Sequence, residues 1–149
     1  MIIGAGPAGS TAGYVLARNG LSVLILDKAQ FPRRKICGGL ITWKTLRVIN
    51  EIFDVSDSLL RDRGILFHET RKYSLHNCNR LLLSERQRDP FYFVDRESYD
   101  QFWLDCAIAA GANVIQAERA TRVEPDAGLV QTTGGRTYKG TRSSGLTAY

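Results

Sequence analysis

The chain opens on a short apolar run, Met1-Ile2-Ile3, that breaks at a glycine-rich turn, Gly4 to Gly9, and resumes as a segment whose Ala8, Ala12, Val15 and Leu16 share one helical stripe. This predicts strand, tight turn, helix. Asn19-Gly20 is a helix stop, because glycine enters the left-handed region freely, and Leu21 to Leu26 then reads as a buried parallel strand with Asp27 at its carboxyl end. Leu46, Ile49, Ile52 and Phe53 recur at helical spacing within residues 43 to 62, ending in the polar run Asp54 to Asp57 with a shorter turn after it. From 64 to 94 the pattern changes to short apolar runs, Ile65-Leu66-Phe67, Tyr73-Ser74-Leu75, Leu81-Leu82-Leu83 and Phe91 to Val94, which read as short strands, with Arg86, Arg88 and Asp89 as a solvated turn. Asp95 then caps a helix with Tyr99, Phe102, Trp103, Cys106, Ala107 and Ala110 on one face, stopped by Gly111 and followed by the strand Ala112 to Ile115. Arg119 to Glu124 reads as a further strand. Leu129 to Thr133 and Thr137 to Lys139 form a hairpin around Gly134-Gly135. The pattern as a whole is α/β: a parallel sheet with helices, interrupted by an inserted short-stranded β region.

Composition narrows the classes. With 44% hydrophobic residues the chain can bury a core of its own. The net charge of +5 suits phosphorylated ligands, acidic lipid or nucleic acid, but the basic residues come in small groups such as Arg33-Arg34-Lys35, without the long basic tract or interleaved aromatics of a nucleic-acid groove. Nucleic acid is therefore not an expected partner. Cys37, Cys78 and Cys106 match neither a CxxC pair nor a zinc site, which points to a reducing compartment and no metal. No apolar run is long enough to cross a bilayer and no secretory signal opens the chain, so the expected location is cytoplasmic, with peripheral contact to a membrane left open.

The first fifty residues carry the chemistry. In the turn Gly4-Ala5-Gly6-Pro7-Ala8-Gly9, Gly4 permits the tight bend, Gly6 lets a pyrophosphate approach the backbone, and Gly9 allows helix and strand to pack closely. The helix amino terminus, with unpaired N–H groups and a positive dipole end, then faces the phosphates. Asp27 lies where a carboxylate accepts hydrogen bonds from an adenosine ribose and repels a 2′-phosphate. The fingerprint points to a dinucleotide; alone it does not separate FAD from NAD.

The stretch from Asp27 and Lys28 through Phe31-Pro32-Arg33 to Cys37-Gly38-Gly39 resembles the geranylgeranyl reductase family, within the larger group of flavoproteins built like para-hydroxybenzoate hydroxylase. The resemblance runs over nearly the whole chain, strongest in residues 1 to 42 and from 92 to about 124. It implies a Rossmann-like FAD-binding domain with FAD as cofactor. It places Cys37, Gly38 and Gly39 near the flavin, gives Arg96 a cofactor contact and sets the backbone at Ala120 against the adenine edge. Physically, Arg33 can bring a fixed cation towards phosphates or ribose, and Gly38-Gly39 removes side chains where a flat ring needs close approach; the alternative is a basic surface loop with a flexible glycine pair. The alternative for Arg96 is a simple first-turn surface residue. Cys37 reads as a small buried hydrophobe, with a reactive thiol beside Arg and Lys as the alternative, and Cys106 as core. His68 and His76 read as solvated.

No general acid or base emerges, because in the resembled family the flavin carries the chemistry. The implied activity is hydride delivery from reduced FAD to carbon–carbon double bonds of prenyl chains, with NAD(P)H or a ferredoxin-like protein as external donor. A flavin monooxygenase or halogenase acting on an aromatic substrate is the alternative, and a truncated fragment that only binds nucleotide is another. In domain terms the chain reads as one partial FAD domain: a nucleotide-binding part and flavin loop at 1–42, an insertion towards the substrate domain at 43–91 and a second FAD part at 92–140. In such flavoproteins an apolar strand ending in Gly-Ala-Asp-Gly follows. Here 141–149 reads Thr141 to Tyr149 instead, which is the pattern of a frameshifted tail with the carboxyl-terminal part missing.

Overall fold

The computed structural model describes residues 1–140, and the tail reading of 141–149 lies outside the described residues. The chain starts with β1 (Ile2–Ile3), α1 (Pro7–Arg18), β2 (Leu24–Leu26), β3 (Leu40–Thr42), α2 (Trp43–Phe53) and α3 (Asp57–Asp62). It continues through β4 (Leu66–Asn77), β5 (Arg80–Val94), α4 (Arg96–Ala109), β6 (Asn113–Ile115), β7 (Ala120–Glu124), β8 (Leu129–Thr132) and β9 (Thr137–Lys139). Two compact units result, one of residues 1–34 with those from 100 onward, the other of residues 35–99. Among the described residues no helix is long and apolar enough to cross a membrane.

In the first unit β2 lies between β1 and β6 in a parallel sheet, Ile25 opposite Ile2 on one side and Val114 on the other. Ile2, Val23, Ile25, Phe31, Leu104, Ala107 and Ala112 make the core. The side of α1 that is buried is Gly9, Ser10 and Gly13, whereas Ala8 and Val15 of the expected stripe are exposed. Closeness explains this. A Cβ on Gly9 would sit 1.8 Å from the Gly4 carbonyl oxygen, and one on Gly13 2.5 Å from Ile25 Cδ1, so the contact face consists of positions that lack bulk. Beyond the helix, Gly20 N–H donates to Ala17 O and Leu21 N–H to Leu16 O, a Schellman closure that holds Leu21 against the helix end. The strand therefore starts later than the apolar run, at Leu24. From Asp100 on, α4 buries Asp100, Trp103, Leu104 and Ala107; Phe102 and Cys106, expected inside, are half-buried at the flank. The antiparallel sheet β7-β8-β9 carries the expected hairpin, with Val130 buried opposite Tyr138.

The second unit is an antiparallel sheet in the order β3-β5-β4 with two helices. α2 buries Leu46, Ile49 and Phe53, and the side-chain oxygen of Thr42 accepts from Thr45 N–H at its start. Asp54 ends it in the left-handed conformation, and Ser56 caps α3. The four short apolar runs are segments of two long strands, paired from Leu66↔Val94 out to Asn77↔Arg80 with register shifts along the way. Arg86, Arg88 and Asp89 lie in β5, not in a turn. Both faces of the outer hairpin are exposed, so neither supplies the apolar alternation by which strands are recognised. At the start of α4, Asp95 Oδ2 accepts from Ser98 N–H at 2.9 Å and from Ser98 Oγ at 2.7 Å. These bonds, the hydroxyl's foremost, hold the Asp95 carboxyl below the usual carboxylate range.

Gly9→Ala meets backbone and loses about 1–3 kcal/mol in denaturant unfolding. Gly13→Ala meets only the movable end of Ile25, and a helix-propensity gain of about 1 kcal/mol offsets its crowding, so it stays near the parent. Asp95→Ala loses about 1 kcal/mol at neutral pH through the lost cap. Because the folded-state pKa is depressed, that difference is full above the carboxyl's unfolded value and vanishes as pH falls through the folded one, which unfolding across pH 2 to 7 (roughly the carboxylate range) measures.

Candidate dinucleotide-binding site

The turn after β1 is fixed by its backbone and by one side chain. Gly4 has φ 99°, a left-handed value that suits glycine, and its N–H donates to Leu26 O at 2.7 Å. Asp27, buried at the end of β2, accepts from Ala5 N–H through Oδ2 and from Ala29 N–H through Oδ1, each at 2.7 Å. The carboxylate expected for a ribose thus also ties the glycine turn to the following loop. Each of its oxygens keeps further lone-pair capacity for a ligand hydroxyl. Ser10 Oγ closes the turn from inside by donating to Ala5 O at 2.9 Å.

The amino terminus of α1 is open to an anion. Its cap residue is Gly6, no side chain caps it, Pro7 occupies the first helical position, and its first turn contains no acidic residue. The positive end of the helix is left without an internal counter-charge in that turn. Arg33 stands beside it: Nη2 is 3.5 Å from the position a Cβ on Gly6 would take, and the guanidinium lies 4.8 Å from the centroid of the Phe31 ring. Phe31 is itself anchored, its N–H donating to Gln116 Oε1. Lys28 points to solvent beside the buried Asp27. Ala120 opens β7 opposite Thr132, at a register shift, and just before it Glu118 N–H donates to Asp27 O at 2.9 Å. This unit therefore brings Gly4, Ala5, Gly6, Pro7, Ala8, Gly9, Asp27 and Arg33 to one end of the parallel sheet.

Sequence reading missed four polar residues that organise this unit. Ser10 and Gln116 make the bonds just described. Asp100 pairs with Arg33 at 3.2 Å and is fully buried. Glu118, also buried, accepts from Thr132 Oγ1 and from Arg136 Nη1. Asp100 left a signal, since it shares the stripe of Trp103, Leu104 and Ala107. Gln116 and Glu118 left none, because their partners are remote in sequence.

The second unit holds the remaining candidates. Gly39, at φ 71°, accepts at its carbonyl from Val94 N–H at 2.9 Å, and a Cβ there would fall 2.1 Å from Val94 O. The close approach it permits is that of a neighbouring strand, not of a ring. Gly38 has open space around it. Cys37 is exposed, which corrects its reading as a buried hydrophobe. Gly39 N–H donates to its sulfur at 3.4 Å, the Arg96 guanidinium adds a side-chain hydrogen bond, and together they hold the thiol below its ordinary value. His68 lies against the Phe93 ring and His76 beside Ser74, both exposed.

Comparison with known proteins fits this geometry. Residues 2–58 match the model of the NAD(P)-binding Rossmann-like domain. An uncharacterised protein in the nifH2 5′ region of Methanosarcina barkeri is 31% identical, over 83% of this chain and 67% of its own length. The chain belongs to this family of Rossmann-like, FAD-type domains. The geranylgeranyl diphosphate reductase of Rhodobacter capsulatus is 36% identical to this Rossmann-like domain over 85% of the chain but only 29% of the reductase. The halogenase PltM, solved in complex with phloroglucinol and FAD, superposes on it with a TM-score of 0.72 and 28% identity, over 92% of this chain and 31% of the halogenase. This Rossmann-like domain thus spans under a third of the length of either enzyme.

The Cys37 environment yields a measurable outcome. The pH at which Cys37 alkylation by iodoacetamide reaches half its maximal rate, followed by peptide mass spectrometry, lies below that of an ordinary thiol, and Arg96→Gln raises it. An unchanged midpoint in the variant would show that Arg96 does not stabilise the thiolate.

Proposed function

We propose that the chain binds FAD through its ADP half and forms the nucleotide-binding part of a flavin-dependent reductase that acts on prenyl double bonds. The observation that carries the reading is the uncapped amino terminus of α1, set between a turn pinned by Asp27 and the Arg33 guanidinium. Backbone N–H groups and a fixed planar cation are the donor set a pyrophosphate requires, and Asp27 supplies acceptors for ribose hydroxyls. The backbone at Ala120 and the exposed Lys28 complete the adenosine side. As the resemblance implies, the reading gives Gly38, which has open space around it, Cys37 and Arg96 a role toward the flavin.

Bound flavin supplies hydride transfer, after reduction by NAD(P)H or a ferredoxin-like donor. What this chain's residues contribute is binding and orientation: the helix end and Arg33 hold the phosphates, and Asp27 selects an unphosphorylated ribose. The likeness to the Rhodobacter reductase supports prenyl reduction. A second reading, flavin-dependent halogenation or hydroxylation of an aromatic, is favoured by the superposition on an FAD-bound halogenase. The two separate by turnover: prenyl reduction without oxygen supports the first, oxygen-dependent NAD(P)H consumption stimulated by an aromatic the second.

Titration of the purified chain with FAD, followed by flavin fluorescence and thermal stability, is expected to saturate, to be displaced by ADP, and to raise the melting temperature. A 2′-phosphorylated ADP competes at least about tenfold more weakly, from charge repulsion at Asp27. A folded chain that binds neither FAD nor ADP would remove the reading.

A further inference from the structure

Arg33 reaches the start of α1 from a loop, and a loop-borne arginine in solvent would spread over many rotamers. Here it does not. Its guanidinium is clamped on one side by the Asp100 carboxylate at 3.2 Å and on another by the face of Phe31 at 4.8 Å. Asp100 has no exposure at all, sits on α4 among Trp103, Leu104 and Ala107, and so offers a carboxylate whose position is set by the core. Arg33 keeps 19% of its side chain exposed. The nitrogen paired with Asp100, Nη2, is also the one beside the Gly6 position, and as a guanidinium nitrogen it carries a second N–H that a diphosphate there can take.

We propose that Asp100 is a positioning residue for the nucleotide site: it orients Arg33 so that the free edge of one guanidinium meets the diphosphate at the amino terminus of α1. The core-fixed carboxylate determines where the cation stands before any ligand arrives, which lowers the ordering cost of binding. The proposal rests on the dinucleotide reading above and extends it to a residue that does not itself touch the nucleotide. It accounts for a charged side chain on the buried stripe of α4, a position where an apolar residue would suffice for packing alone.

The test is a double-mutant cycle on the full chain, with ADP and adenosine titrated calorimetrically and folding checked by thermal unfolding. Arg33→Met and Asp100→Asn are each expected to weaken ADP about tenfold, the loss of one charge-assisted contact, while adenosine binding stays at the parent level. In the Arg33→Met background, Asp100→Asn then costs nothing further, because the group it positions is gone. Additive losses, equal weakening of ADP and adenosine, or an Asp100→Asn chain that binds ADP as the parent does would each overturn the proposal. Arg33→Lys gives an independent arm should Asp100→Asn fail to fold: a flexible ammonium lacks the planar fork that holds Asp100 on one edge while presenting another to the diphosphate, so ADP weakens. Parent-level ADP binding by Arg33→Lys would overturn the proposal. A parent chain that binds no ADP removes the dinucleotide reading and the proposal with it, a result distinct from parent binding that Asp100→Asn leaves intact.

Discussion

The first unit is organised by a backbone contact that admits no side chain. The Gly4 carbonyl oxygen occupies the space where a Cβ on Gly9 would be, so α1 descends onto β1 until main chain meets main chain. That approach aims the helix end at the mouth of the turn, and Asp27 locks it there by taking the Ala5 and Ala29 N–H groups. Helix direction and turn shape both follow from a spacing set by the absence of bulk.

How far the sequence disclosed this depended on the kind of signal. The glycine turn, the strand end at Asp27, the Asp95 cap and the carboxyl-terminal hairpin were legible, because each rests on local chemistry within a few residues. The packed face of α1 was not. Hydropathy weighs Ala and Val above Gly and Ser, while the contact that matters selects for smallness. Likewise the outer β4–β5 hairpin is exposed on both sides, so its apolar runs read as short separate strands and the polar residues joining them into two long ones did not.

The buried charges were hard to interpret for a different reason, even where, as at Asp100, the helical stripe marks the position as inward-facing. Asp100 and Glu118 each have a cationic partner far along the chain, and a carboxylate in a core is intelligible only once that partner is known. Gly39 shows the converse error. The sequence marks this glycine as a point of close approach to a flat ring, and in the structure the group that approaches is the Val94 backbone. Sequence identified the need for space without identifying what fills it.

The base of the β4–β5 hairpin is closed by Asp95 N–H donating to Ile65 O and by the Leu66–Val94 pair, and β3 holds β5 only along Phe91–Phe93. Beyond Phe91 the two strands answer only to each other. Residues can be gained or lost there in matched pairs, and exposed positions such as Leu75, Leu81 and Leu82 exchanged, without disturbing the base. The outer hairpin is thus, among the described residues, the part of this unit whose length and surface chemistry the rest of the unit constrains least. A change of loop length there is a matter for two strands alone, whereas a single methyl at Gly9 is a matter for the whole of the first unit.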